Sequence, residues 1–150
     1  MLSSDQKAAI INTFHSLSML NFAPVLDHVS QSEFLVMTVV EKLSTYGDND
    51  AGRVSSIAQM LHVSSPAISR TLTSLEHKGY AARMVGVDNR RNTGVRLTDE
   101  GKRVFMNECE NVNRVFEQVA ASMGEEKITQ LVSLANEMTY SFSKALKNKA

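Results

Sequence analysis

Apolar residues recur at three- and four-residue steps through most of the chain, which is the spacing of one helix face. Ile10 or Ile11, Phe14, Leu17 and Phe22 predict a first helix over 4–22, interrupted by Pro24 and by 27–29. Ser30 opens a second helix, and Ser30-Gln-Ser-Glu33 has capping-box spacing. Its run Phe34, Leu35, Val36, Met37, Val39, Val40, Leu43 predicts burial on most of its girth. Tyr46 to Gly52 reads as a loop, and Arg53-Val-Ser55 as a very short strand. Ser56-Ile-Ala-Gln59 reads as a second capping box, opening a short helix with Ile57, Ala58 and Leu61 inward. After a turn at His62 to Ser64, Ser64 or Ser65 caps a further helix, with Pro66 where its missing N–H costs nothing. That helix runs to Lys78 on an inner face of Ile68, Leu72 and Leu75, and Gly79 stops it.

Two short helices joined by about three residues form a helix-turn-helix. Residues 80–86 and 93–98 then read as two strands around the polar, basic tip Val87-Asp-Asn-Arg-Arg-Asn92. Thr98 caps a long helix with Asp99 and Glu100 in its first turn and a stripe of Val104 or Phe105, Val112, Val115 or Phe116, and Val119. Met123-Gly124 breaks it. Ser122-Met-Gly-Glu125 reads as a third capping box, before a last helix striped with Ile128, Leu131, Leu134 or Ala135, Met138, Phe142 and Leu146. The expected fold is mainly α with a small β-hairpin wing: one domain over 1–150, with a winged helix-turn-helix lobe at 30–100. Within the lobe, 53–63 is the first helix region, 64–78 the recognition helix and 80–98 the wing. The helices at 1–25 and 101–150 flank it and are too apolar to be linkers.

A length of 150 residues and 16.6 kDa fits one domain with one core, and 43% apolar with 21% charged residues is ordinary for a globular protein. The sequence predicts no membrane span and no leader, and the expected location is the cytoplasm. One cysteine, Cys109, excludes an internal disulfide framework and a multi-cysteine zinc site. The net charge of zero hides a division. Residues 51–103 carry nine basic and four acidic groups, net +5, between a first third at −4 and a last third at −1. Binding to phosphate requires a local positive surface, not a positive total.

Val63-Ser-Ser-Pro-Ala-Ile-Ser-Arg-Thr-Leu-Thr-Ser-Leu-Glu-His-Lys-Gly-Tyr80, then Asn89-Arg-Arg91, then Leu97-Thr-Asp-Glu-Gly101, resembles the MarR family of bacterial transcription regulators. The resemblance implies a homodimer built from the terminal helices. It also implies binding to a near-palindromic operator and release by a small molecule or an oxidant. Carried over by residue, Ser69 and Arg70 are similar to the family's recognition-helix polar pair, and Arg91 to its wing-tip arginine. The family's wing aspartate is replaced by Asn89, with Asp88 beside it.

The residues support the same chemistry. With its apolar face committed inward, the recognition helix turns Pro66, Ala67, Ser69, Arg70, Thr73, Ser74 and His77 outward, with Ser65 in its first turn. Short side chains permit close approach to the major groove, and arginine can grip guanine in bidentate fashion. Arg90 and Arg91, paired cations on a thin hairpin tip, suit the negative channel of the minor groove. The expected DNA-contacting set is Ser65, Pro66, Ser69, Arg70, Thr73, His77, Arg90 and Arg91, and the expected partners are double-stranded DNA and a second copy of the chain.

Cys109, beside Glu108 and Glu110, reads as a small hydrophobe and not a redox sensor. The histidines (His15, His28, His62, His77) form no local ligand pair, Asp48 and Asp50 lack calcium-loop spacing, and no phosphate loop or nucleophile elbow is present. The expectation is therefore no metal, no cofactor and no enzymatic activity. Eight methionines, among them Met19, Met37, Met60, Met106, Met123 and Met138, fit core filler or a compliant effector pocket. Phe14, Leu17, Met37 and Phe105 are the candidate lining of such a pocket. Two alternatives stay open: a winged-helix regulator answering a redox, metal or protein signal, and a protein-interaction module with no DNA role.

Overall fold

The computed structural model describes residues 1–45, 53–85 and 93–147. The element order is α1 (Ser4–Ser18), a 3-10 turn (Ala23–Val25), α2 (Gln31–Thr45), α3 (Val54–Leu61), α4 (Ser65–His77), β1 (Ala81–Val85), β2 (Thr93–Leu97), α5 (Asp99–Met123) and α6 (Glu125–Lys147). This is the mainly α, winged arrangement that the pattern predicts. Chain contacts divide it into two compact units, Met1–Cys109 and Glu110–Ala150.

Several boundaries differ from the sequence reading, each for a local reason. The first helix stops at Ser18 rather than 22. It is opened by a capping box that the apolar stripe does not reveal: Gln6 N–H donates to Ser3 Oγ at 3.1 Å, and Ser3 N–H to Gln6 Oε1 at 2.9 Å. Arg53-Val-Ser55 is not a strand. Arg53 is the N-cap of α3, so Ser56 lies inside the helix and its capping box with Gln59 does not form. Ser122 likewise lies within α5, and Gly124, in the left-handed region at φ +84°, separates α5 from α6. The box at Ser30 does form, with Ser30 N–H donating to Glu33 Oε2 at 2.7 Å and Glu33 N–H to Ser30 Oγ at 3.3 Å. The predicted loop at Tyr46 to Gly52 and the hairpin tip at 87–92 lie outside the described residues.

In the first unit the core gathers Val36, Met37 and Val40 from α2, Ile57 and Ala58 from α3, Ile68, Leu72 and Leu75 from α4, Ala81, Val95 and Leu97 from the hairpin, and Val104 from α5. Each large aliphatic side chain so buried contributes about 1.5–3 kcal/mol. Phe34 packs on Phe105 with ring centroids 5.8 Å apart. The strands pair antiparallel, with Ala81 opposite Leu97 and Arg83 opposite Val95.

The Lys-Gly-Tyr and Leu-Thr-x-x-Gly segments form one joint. Gly79 takes φ +75°, and a Schellman turn closes α4: Tyr80 N–H donates to Leu75 O at 2.8 Å and Gly79 N–H to Glu76 O at 3.0 Å. Thr98 then ties α5 onto that turn. Its hydroxyl donates to Gly79 O at 2.6 Å and accepts from Gly101 N–H at 3.0 Å, while its own N–H donates to Tyr80 O at 3.0 Å. A Cβ on Gly101 would stand 1.9 Å from the Tyr80 carbonyl oxygen. Only glycine permits this approach.

Candidate nucleic-acid interface

The turn between α3 and α4 is tight. His62 adopts the left-handed conformation at φ 53°, and Val63 N–H donates to Ala58 O at 3.0 Å. Ser64 is the N-cap of α4, its Oγ accepting from Ala67 N–H, and Pro66 sits in the first turn. Ile68, Leu72 and Leu75 fix one face of α4 in the core. Pro66, Arg70, Thr73 and His77 are exposed on the other, and Ser69 is half-buried between them. These five fall at 66, 69, 70, 73 and 77, one continuous stripe of a helix. Ser65 is exposed one residue before it.

The hydroxyls on this helix do different work. Thr73 Oγ1 donates back to Ser69 O at 2.9 Å, which leaves its lone pairs to accept. Ser74, which the sequence turns outward with the contact face, instead donates to Glu33 Oε1 at 2.7 Å. Lys78 Nζ also binds Glu33, at 2.8 Å from Oε2. Burial alone would push the Glu33 carboxyl up, but the hydrogen bonds from Lys78, Ser30 N–H and Ser74, with the Lys78 charge, hold it below its ordinary value.

Arg70 has a specific competitor for its role, an ion pair with Glu76. The structure gives Glu76 to Arg83, whose Nε lies 3.1 Å from Oε1. Among the described residues Arg70 makes no ion pair, so its guanidinium is available to a partner. Arg96 on β2 and Lys102 on α5 are exposed as well. Arg90 and Arg91 lie outside the described residues, as do Asp88 and Asn89.

The four candidate effector residues do not meet in one described cavity. Met37 is wholly buried, Phe105 is half-buried against Phe34, and Phe14 and Leu17 lie on the exposed face of α1. An open pocket of about 140 Å³ lies elsewhere, between α2, the end of α3 and α4, lined by Leu35, Val36, Leu61, Val63, Ile68 and Thr71 among others. Periodicity could not find it, because its walls are ordinary core-edge positions of three helices. Cys109 is half-buried, and burial, then the Glu108 charge, pushes its thiol up, away from a reactive thiolate. Among the described residues no three His, Cys, Asp or Glu side chains gather into a metal-binding group, and no helix is long and apolar enough to cross a membrane.

Residues 37–116 match the winged helix DNA-binding domain family, and the chain belongs to it. Its fold is the one that MarR-type transcriptional regulators share, and the curated relatives it matches are named as transcriptional regulators. The Staphylococcus aureus MarR in complex with salicylate and kanamycin superposes with a TM-score of 0.75 at 15% identity, covering 94% of this chain and 95% of that one. The transcriptional repressor CouR bound to a 23-mer DNA duplex gives 0.66 at 22% identity, covering 93% and 92%. The uncharacterized HTH-type transcriptional regulator YhjH of Bacillus subtilis is 35% identical over 79 residues, a match that spans 53% of this chain and 45% of that relative's length.

Proposed function

We propose that the chain is a homodimeric, sequence-specific repressor of transcription. The exposed stripe of α4 enters the major groove of each half of a near-palindromic operator, and the Arg90–Arg91 wing tips enter the adjacent minor grooves. The observation that carries this reading is the exposed stripe Pro66, Ser69, Arg70, Thr73, His77 backed by a fully buried face, with Arg70 unspent on any ion pair among the described residues. Short residues around one long cation admit the helix to base edges, and the free N–H groups at its start can meet a phosphate. The DNA-bound CouR, with the same fold, supports a duplex as the partner.

Dimerisation is supported by apolar surface that stays exposed in the single chain. α1 and α6 contain no buried residue, yet they carry the exposed Ile11 and Leu17, and Leu131, Leu134 and Leu146. A second copy covering such stripes would set two recognition helices about 34 Å apart, one turn of DNA. Both half-sites would then bind as one event. A small apolar or aromatic effector that altered the seating of the lobes would weaken binding without touching a DNA-contacting residue. The salicylate complex of the Staphylococcus aureus MarR supports that option, with Phe14, Leu17 and Phe105 as proposed contacts; Met37 could take part only if its neighbours moved. Such a protein works where the chromosome is, in the cytoplasm.

The test is enrichment of fragmented host DNA on the purified protein at near-physiological salt, with R70A/R91A as control. The expected result is a few intergenic fragments that share a pseudo-palindrome and are lost in the variant. Failure of both proteins to enrich any specific sequence would overturn the reading in favour of a protein-interaction module.

A further inference from the structure

Among the described residues of the first unit two carboxylates are buried, Glu33 at 4% exposure and Glu108 at 0%. Burying a charge costs several kcal/mol unless hydrogen bonds repay it, so what each one holds is informative. Each holds a different part of one four-residue segment, 27–30. Glu108, on α5, accepts from Asp27 N–H at 3.0 Å and from His28 N–H at 2.7 Å, groups some eighty positions away in sequence. Glu33, in the first turn of α2, accepts from Ser30 N–H at 2.7 Å. The Glu33 oxygens also receive Ser74 Oγ and Lys78 Nζ from the end of α4, and Lys78 Nζ reaches back to His28 O at 3.3 Å.

Residues 27–30 are therefore gripped by α5 through Glu108, by α2 through Glu33 and by Lys78 at the end of α4. Capping the start of α2 alone would need only the Ser30 hydroxyl and a carboxylate. The additional bonds reach the helix whose outer stripe carries Arg70, Thr73 and His77, and they join it to α5. Since α5 is continuous from Asp99 to Met123, the 27 and 28 amides are bonded to one long helix, and the same segment is bonded through Glu33 to Ser74 and Lys78 at the end of α4.

We propose that Glu33 and Glu108 are positioning residues of the DNA-binding surface, which together couple α5 to the recognition helix through residues 27–30. The inference rests on the reading of α4 as the DNA-contacting helix. It adds a specific route by which a change in the rest of the molecule is registered at the contact stripe.

The test uses the full chain and the variants E33Q, E108Q and E33Q/E108Q. Affinity is measured for a duplex carrying the sequence enriched from the genome, with R70A as the contact control, and amide exchange across α4 is measured without DNA. The expected result is a loss of affinity on the order of tenfold for each single variant, at temperatures where each stays folded. The double variant should fall little further, because both act through one segment. Exchange in the last turn of α4 should quicken in E108Q although the substitution is on α5. Strictly multiplicative losses, or α4 exchange unchanged in E108Q, would overturn the proposal and leave two independent local caps. Should E108Q fail to fold, S74A gives the reciprocal readout: faster exchange at the 27 and 28 amides supports coupling, and unchanged exchange overturns it. If R70A binds like the wild type, the DNA reading has failed, while exchange still decides whether the carboxylates position α4.

Discussion

α4 and α6 carry apolar residues at the same helical spacing and meet opposite fates. In α4, Ile68, Leu72 and Leu75 are at most 2% exposed; in α6, Leu134 and Phe142 keep 63% and 48% of their surface. A stripe of this kind specifies that a helix will bury one face, but not which chain supplies the cover. α4 finds its partners in α2, α3 and the hairpin. α6 contains no buried residue. The same contrast separates α2, whose first turn is pinned by Glu33, from α1, which also buries nothing.

The most direct way to break the comparison is to attack the closed side. Gly101→Val puts a branched side chain where even a Cβ stands 1.9 Å from the Tyr80 carbonyl oxygen. Backbone cannot yield as a flexible side chain does, so the joint between α4 and α5 must open. The expected loss is about 4 kcal/mol or more in urea unfolding, comparable to the worst core substitutions. A variant as stable as the wild type would show that this close approach does not matter.

Attacking the open side should have the converse signature. L134D/F142D places two charges on a stripe that is exposed in the single chain. The lobe should retain its fold by circular dichroism, while sedimentation equilibrium shows association of the proposed dimer weakened on the order of a hundredfold or more, as for the loss of central interface anchors. Unchanged association would mean that the proposed dimer is not built on α6.

The comparison also explains what could be read from sequence. The elements were legible because periodicity, Gly79, Pro66 and Thr98 are local signals. So were the polar stripe around Arg70 and the end of α5 at Gly124. The ends that failed, at Ser56 and Ser122, were serines with capping-box spacing that lie inside helices, because α3 already begins at Val54 and α5 continues to Met123. Glu33 was legible as a cap; its bonds to Ser74 and Lys78 were not, since they join positions more than forty apart. Glu108 carried no signal beyond an acidic residue beside a cysteine. The importance of Gly101 was legible as a motif, and its reason, the Tyr80 carbonyl, only as geometry.

Glu33 gives a smaller and pH-dependent effect. Its folded carboxyl titrates below the ordinary value of 4.5, so the unfolded chain binds more protons in that window. Stability from this group is therefore fully present above 4.5 and is lost as the pH falls through the lower folded value. Urea unfolding at stepped pH should show a descending acid limb below 4.5 that is shallower in E33Q. An unaltered limb would assign acid sensitivity to other carboxylates.

The smallest effects compare the two turns that flank α4. Both use left-handed backbone, at His62 with φ 53° and at Gly79 with φ +75°. His62 bears the steric strain that glycine avoids at Gly79, although the bond that closes each turn is alike: Val63 N–H to Ala58 O and Tyr80 N–H to Leu75 O. Gly79→Ala should therefore cost about 1 kcal/mol, whereas His62→Gly should be neutral or stabilise by a few tenths of a kcal/mol, the relief of strain partly offset by the freer unfolded chain. Thermal and urea unfolding of the pair decide it. A destabilised His62→Gly would mean that the imidazole makes a contribution to the turn beyond its backbone conformation.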